Sequence, residues 1–379
     1  MIKPTNEQDL SEAIRQAQGP LQIKGGGSRG VMVDGDELTA SGLTGISLYE
    51  PGALTIVAGA GTPLAEIEAA LDAENQRLAF EPMDHRALLG TAGQPTIGGV
   101  FAANVSGPRR IQAGAARDFL LGVRFADGEG NIIRNGGRVM KNVTGYDLVK
   151  LMCGSWGTLG VLSEVSLKVL PKAETETTLH LSGLDTTGAV QAMSAALGSP
   201  FEVSGASFGV VEQGGKPVVS LRIEGFEASV RYRAEKLRGV LGGFGPADIC
   251  DGADVSRDIW KGIRDVKTFQ DAPGDVWRIS VKPGDAPALI EQLKSGDVLL
   301  DWGGGLIWAR VPEGTDLRAR MAGVAGHATL VRADAQTKLR LGMFHPEPAP
   351  LAAISAGLRH RFDPRGIFNR GLMQMLAEA

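Results

Sequence analysis

Cysteine is scarce in this chain: Cys153 and Cys250 are the two in 379 residues, in unrelated contexts and with no CxxC spacing. That argues against a disulfide scaffold, a zinc ribbon and a self-contained iron–sulfur cluster, and it predicts a reducing, cytoplasmic compartment. Histidine is sparse too. His85, His180, His327, His345 and His360 never pair at metal-binding spacing. His345 lies near Glu347 in "FHPEPAP", but among prolines and with no second histidine, so no metal site is expected. An excess of one charge is also lacking. Lys and Arg number 39 against 43 Asp and Glu, a net charge of −4, which gives no electrostatic case for nucleic acid. No run of 18 apolar residues occurs, so no membrane span is expected, and residues 1–20 lack the apolar centre of a signal peptide. Attachment to a membrane surface through a partner stays open. GxxxxGK[ST] does not occur, leaving a P-loop ATPase unsupported.

Glycine is what the chain has in excess, 53 residues, about twice the average share. "LQIKGGGSRG" (21–30) runs from a strand-like stretch into three glycines. Such a run is often only a flexible turn, yet successive amides without Cβ atoms can also close around phosphate oxygens. "QPTIGGVFAANVSG" (94–107) places Gly98 and Gly99 before a short apolar stretch that can start a helix, where free N–H groups suit an anion. Thr96 adds a hydroxyl, and Ala102 and Ala103 leave room for something flat. "GYDLVKLMCGSWGTLGVL" (145–162) is the third cluster. One long ligand lying across several loops explains all three together. "GAGTPL" imitates a dinucleotide fingerprint but lacks its third glycine, and reads as an ordinary strand-to-helix turn.

The coarse pattern is strand and helix in alternation. Thr5 with Gln8 reads as a capping box opening a helix through about Gln18. "LTIVAGAG" (54–61) reads as a strand, and Thr62-Pro63 starts a helix with Leu64, Ile67 and Leu71 on one face. Residues 118–134 read as a hairpin turning at Asp127–Gly130, and 157–170 as a turn entering a long strand. The polar stretch "KAETETT" (172–178) is where a domain boundary is expected. Downstream, strands and helices suggest helices on one face of an antiparallel sheet. There "VWRISVKP" and "LLDWGGGLIWARV" flank the helix "DAPALIEQLKS", and Trp302 and Trp308 read as core. A helix over about 349–361 precedes the tail "RFDPRGIFNRG".

The combination "KGGGS", "TIGGVFAANVSG" and "KNVTGYDLVKLMCGSWGTLGVL" resembles the FAD-binding domain of the vanillyl-alcohol oxidase (PCMH) type, its motifs in the family's order over residues 1–172. The resemblance implies an α+β fold: a PCMH-type FAD-binding domain of two α+β subdomains (1–172), a ferredoxin-like α+β cap (173–345), and a C-terminal segment (346–379) returning to the first domain. It implies FAD held by Gly25, Gly26, Gly27 and Ser28 at the diphosphate. Thr96, Ile97, Gly98, Gly99, Asn104 and Gly107 would lie along the diphosphate and the ring edge, and Gly157, Thr158, Gly160 and Val161 on the flavin–adenine side. Arg29 is a candidate for neutralising diphosphate charge. Ser28-Arg29 stands where covalent-flavin members carry a histidine, so non-covalent FAD is expected. Trp156 stands where many relatives have Glu, and Cys153 is expected to be buried and inert.

Oxidising a 2-hydroxy acid needs a base and a cation for the carboxylate. No catalytic residue can be assigned here, and the histidines do not form the metal cluster of relatives that act on D-2-hydroxy acids. With the short chain, this is similar to the family of FAD-binding accessory subunits of bacterial glycolate oxidase. That resemblance implies a larger catalytic FAD subunit and an iron–sulfur subunit as partners. The complex would act on a small 2-hydroxy acid at the cytoplasmic face of the membrane. A self-sufficient 2-hydroxy acid dehydrogenase and a non-enzymatic scaffold remain alternatives.

Overall fold

A computed structural model describes residues 1–138, 145–210, 215–250 and 252–373. The "KNVT" part of the third motif, residues 141–144, lies outside them. Two antiparallel sheets organise the chain. The first has five strands in the spatial order Ile46–Glu50, Thr55–Gly59, Val161–Lys168, Leu120–Ala126, Ile132–Gly136. Its central strand, Val161–Lys168, is buried almost throughout, and Val165 and Leu167 are fully enclosed. The helix Leu64–Ala73 buries Leu64, Ile67 and Leu71, the face its spacing predicts. The strand Leu21–Lys24 stands apart from this sheet and pairs in parallel with Asp36–Thr39.

The second sheet has eight strands in the order Ala247–Ile249, Thr175–Ser182, Val218–Gly225, Val203–Gly209, Asp297–Asp301, Leu306–Val311, Asp275–Val281, Gly326–Arg332. Residues 175–178 of the polar stretch already belong to it, and the neighbours Thr178 and Leu179 are both fully buried, one on each face of the strand. One face of the sheet buries Trp277, Ile279, Ile307 and Leu330 against the helices Thr186–Leu197, Glu227–Val240 and Ala286–Leu293. Val276, Leu299, Leu306 and Trp308 share instead a core with Phe80, Phe101 and Phe125 of the first unit.

Three local expectations are corrected. The first helix, Glu7–Gln16, is capped by Asn6 rather than Thr5; Asn6 Oδ1 accepts from Asp9 N at 2.9 Å, while Thr5 Oγ1 donates to the Asp9 carboxylate. "LLDWGGGLIWARV" is two strands, because Trp302 and Gly303 turn the chain back at φ +54 and +67. A helix over Ala253–Arg264 escaped the sequence reading; its buried face is Ser256, Trp260 and Ile263, only two of them apolar.

Candidate functional site

The strand Leu21–Lys24 delivers the loop Gly25–Gly30 to the rim of a cleft with about 1180 Å³ of empty space, part of it open to solvent. The loop is pinned from both sides. Thr39 Oγ1 donates to Gly25 O at 2.7 Å, and Thr91 Oγ1 donates to Ser28 O at 2.6 Å. A Cβ at Gly26 would overlap the carbonyl of Gln94, so only glycine fits. Gly27, at φ +74, has open space where its Cβ would be. Among the described residues the amides of Gly26, Gly27 and Ser28 have no protein acceptor. Three successive bare N–H groups in a glycine loop are what an anion requires.

The helix Ile97–Ala102 contributes differently from the sequence expectation. Its first-turn amides are already spent: Ile97 N donates to Thr62 O (3.0 Å), Gly98 N to Ala60 O (2.8 Å) and Gly99 N to Thr96 Oγ1 (3.3 Å). The helix therefore supplies surface rather than anion-binding amides. Ala60, Gly98, Gly99, Ala102 and Ala103 make a wall of small residues, and Ser155, Trp156, Gly157, Gly160, Val161 and Leu162 stand among the other lining groups. The tail closes the site. Asn369 Oδ1 accepts from Ile23 N and its Nδ2 donates to Trp156 O, both at 2.7 Å, joining two walls of the cleft. Asn369 and Trp156 hold left-handed backbone at φ +41 and +53, as does Asn104 at +50.

Of the residues singled out from sequence, Gly25, Gly26, Gly27, Ser28, Thr96, Gly98, Gly99, Gly157, Gly160 and Val161 line this one cleft. Four do not. Ile97 is enclosed in the core behind it. Thr158 is buried, its hydroxyl donating to Ser155 O. The Asn104 side chain accepts from Arg117 N at 3.0 Å, and Gly107 lies at the seam with the second sheet, where its carbonyl accepts from Trp302 Nε1 at 3.0 Å.

Arg29 belongs to the cleft as well. Its guanidinium lies 5.8 Å from the centre of the Trp156 ring, and its buried Nε has no hydrogen-bond partner. Burial lowers its pKa to about 10, so it remains cationic at neutral pH. Cys153 is buried, and that burial pushes its thiol up to about 12. Among the described residues no three His, Cys, Asp or Glu side chains converge on a metal position. Bare amides, a half-buried cation and a smooth wall of small residues together suit a flat cofactor carrying phosphates.

Sequence reasoning missed the charged seam between the sheets. Glu81 accepts both NH1 and NH2 of Arg222 at 2.9 Å, and Arg109 reaches Glu224 through Nε and NH2, also at 2.9 Å. Arg77 adds a third cation to Glu224 at 2.5 Å. Burial opposes ionisation of Glu81 and Glu224, but Arg222 and Arg109 outweigh it and hold both carboxyls below their usual range. The available signal was Arg222 and Glu224 on one face of the strand "VVSLRIEG", whose other face, Val219, Leu221 and Ile223, is apolar.

Comparison with known proteins gives the site its context. A family model described as FAD binding domain matches residues 1–136. The Escherichia coli (strain K12) protein named "Glycolate oxidase subunit GlcE" is 36% identical over 97% of each chain. A D-lactate dehydrogenase of Archaeoglobus fulgidus is 30% identical over 48% of this chain and 41% of its own. Among solved structures, an alkyldihydroxyacetonephosphate synthase superposes with a TM-score of 0.68 at 14% identity, covering 97% of this chain and 76% of that one, which is a likeness of fold. No helix among the described residues is long and apolar enough to cross a membrane. With bare loop amides, a half-buried arginine and near full-length similarity in hand, the chain belongs to the FAD-binding oxidoreductase family that includes this glycolate oxidase subunit, and FAD is its cofactor.

Proposed function

We propose that this chain is the FAD-binding subunit of a glycolate-oxidising complex, working beside a larger catalytic flavoprotein and an iron–sulfur subunit at the cytoplasmic face of a membrane. The observation that carries the reading is similarity to a glycolate oxidase subunit along 97% of both chains, coupled with a cleft whose loop amides lack protein partners. In this reading the amides of Gly26, Gly27 and Ser28 bind the diphosphate, with Gly25 and Thr96 shaping the loop behind it. Gly98 and Gly99 let the cofactor approach the backbone closely. Gly157, Gly160 and Val161 take the opposite side, and Ile97, Asn104, Gly107 and Thr158 support these walls from behind. Arg29 places a fixed positive charge on the cleft wall, where it offsets negative charge on the ligand. When bound, FAD supplies a two-electron acceptor able to release electrons singly. The chain's own residues hold it and shield it from water. No histidine follows the loop glycines, so the flavin is held without a covalent bond.

The purified chain should carry a flavin absorbance band, and FAD at a hundred times its Kd should add about 2.7 kcal/mol of stability. Acid precipitation should release the pigment; flavin remaining in the pellet would contradict non-covalent binding. Co-purification from the native host should bring down a second flavoprotein and an iron–sulfur protein. Rapid oxidation of glycolate by this chain alone, with a dye acceptor, would favour the self-sufficient dehydrogenase, the reading to which the D-lactate dehydrogenase similarity points.

A further inference from the structure

None of the 14 residues of the helix Ala349–Phe362 is buried, yet it does not read as a solvated helix. From Ala349 to Leu358, "APLAAISAGL", it carries no charge. Leu351, Ile354, Leu358 and Phe362 form one stripe at spacings of three, four and four. Leu358 and Phe362 pack against the core of the flavin unit, whereas Leu351 and Ile354 are 54% and 61% exposed. The fold thus covers only the C-terminal half of a continuous apolar stripe. A helix apolar on all sides is normally enclosed, and one of this length draws its stability from packing.

We propose that the uncovered half of this helix is a docking surface for another subunit of the glycolate-oxidising complex, one that lays a helix flanked by acidic side chains across it. The inference rests on the functional reading for the identity of that subunit.

Charge points to an acidic partner. Residues 335–373 hold six Lys and Arg against Glu347 and Asp363, in a chain whose net charge is −4. Asp363 is buried and accepts from Phe368 N at 2.7 Å, which removes it as a surface counter-ion. Arg359, Arg361 and Arg370, at the helix end and in the segment after it, make no salt bridge among the described residues. Arg359 donates to Met373 O at 2.7 Å, and Arg361 and Arg370 are exposed. Acidic side chains on a partner supply the missing counter-charge. A second copy of this chain would bring the same excess of cations, with Glu347 as the one exposed carboxylate of the segment.

Side-chain size points to a protein helix rather than a lipid surface. Six of the ten residues 349–358 are Ala, Gly or Ser. Small side chains let a second helix approach closely but give little bulk to sink into a bilayer. Position ties the surface to the cofactor. Ala352 and Ala356 line, with Met343, Phe344, Leu372 and Met373, a groove with about 1160 Å³ of empty space, part of it open to solvent. Leu372 lines the flavin cleft as well, and Phe344 meets Trp156 of the cleft wall edge-on, with ring centres 5.2 Å apart. A subunit seated on this helix therefore stands beside the flavin cleft.

The test uses the full, flavin-loaded chain with the larger flavoprotein and the iron–sulfur subunit of the complex, each purified from the native host. The parent chain should bind one of them, more weakly as salt rises, and amide exchange over residues 349–361 should slow in the complex. Leu351→Glu with Ile354→Glu should weaken binding by about tenfold or more, and so should Arg361→Glu with Arg370→Glu. Flavin absorbance and melting should stay as in the parent, because all four side chains are exposed. Unchanged affinity in both double variants, or slowed exchange confined to other segments, would overturn the surface and leave the functional reading standing. So would self-association, or binding to vesicles of anionic lipid, that Leu351→Glu with Ile354→Glu abolishes. Subunit binding gained only when the chain is ended after Met373 would make residues 374–379 the occupant and overturn it too. A parent chain that joins neither subunit would sink the functional reading and the surface together.

Discussion

Replacing Arg222 by methionine tests whether the ionic seam fastens the two sheets. The Arg222 side chain is 1% exposed and Glu81 and Glu224 are 14% and 6% exposed, so solvent screens these contacts little. Arg222 makes the two-pronged bond to Glu81, a third bond from Nε to Ser204 Oγ at 3.1 Å, and a stacking contact 4.6 Å from the Trp260 ring. Methionine keeps much of the stem volume, so the loss is chiefly that of the charge. Removing one partner of a buried ion pair costs about 3–5 kcal/mol, because the remaining carboxylates lose their compensation. Arg109 and Arg77 still face Glu224, which puts the expected value near the lower end, about 3 kcal/mol. Replacing Glu81 by methionine in the same chain should recover part of that loss, since the exposed cost is an orphaned charge rather than a missing attraction.

The pH dependence has a definite sign. Glu81 and Glu224 titrate below the ordinary carboxylate range when folded, so their contribution is present above an unfolded pKa of about 4.3 and fades as pH falls through the lowered values. Without Arg222 the folded-state pKa of both carboxyls rises, so acid should remove less stability from the variant than from the parent. Urea unfolding near neutral pH and again near about pH 3, followed by tryptophan emission, measures both effects. A loss under about 1 kcal/mol, or a double variant as unstable as the summed single variants, would refute the account.

Other expectations concern the cleft. Gly26→Ala forces a methyl group into the Gln94 carbonyl; it should cost about 1–3 kcal/mol and abolish flavin retention in gel filtration. Asn369→Ala removes both bonds that join Ile23 to Trp156 and should lower stability by about 1–3 kcal/mol, with faster flavin release in dilution assays. Cys153 should resist a thiol reagent in the native chain at mildly alkaline pH and react on unfolding, as read by mass spectrometry.

The glycine clusters were legible because close backbone approach leaves its mark on composition, as did the hairpin of Leu120–Ala126 with Ile132–Gly136. The helix Leu64–Ala73 was legible from its spacing. The failures have a common physical source. Whether the Ile97–Ala102 helix presents free amides depends on Ala60 and Thr62, a separate strand end whose carbonyls reach it first. The Glu81–Arg222 pair spans 141 positions, and no local pattern reports a contact at that range. Glu81, Trp156 and Trp302 adopt left-handed backbone that their side chains disfavour, so propensity argued against the turns they make. The tail was flagged by "FDPRGIFNRG", yet the residue within it that does the joining emerged only from the coordinates.

Asn369 also fixes an order of events. The strand that carries the glycine loop exchanges hydrogen bonds with residues more than 340 positions later: Leu21 N donates to Ile367 O, and Asn369 N to Leu21 O. During synthesis the front half can collapse around its own sheet, but its mouth lacks one jamb until residues 367–369 have emerged. Capture of the pigment should therefore wait on that segment, and a ribosome stalled before it should hold a colourless nascent chain.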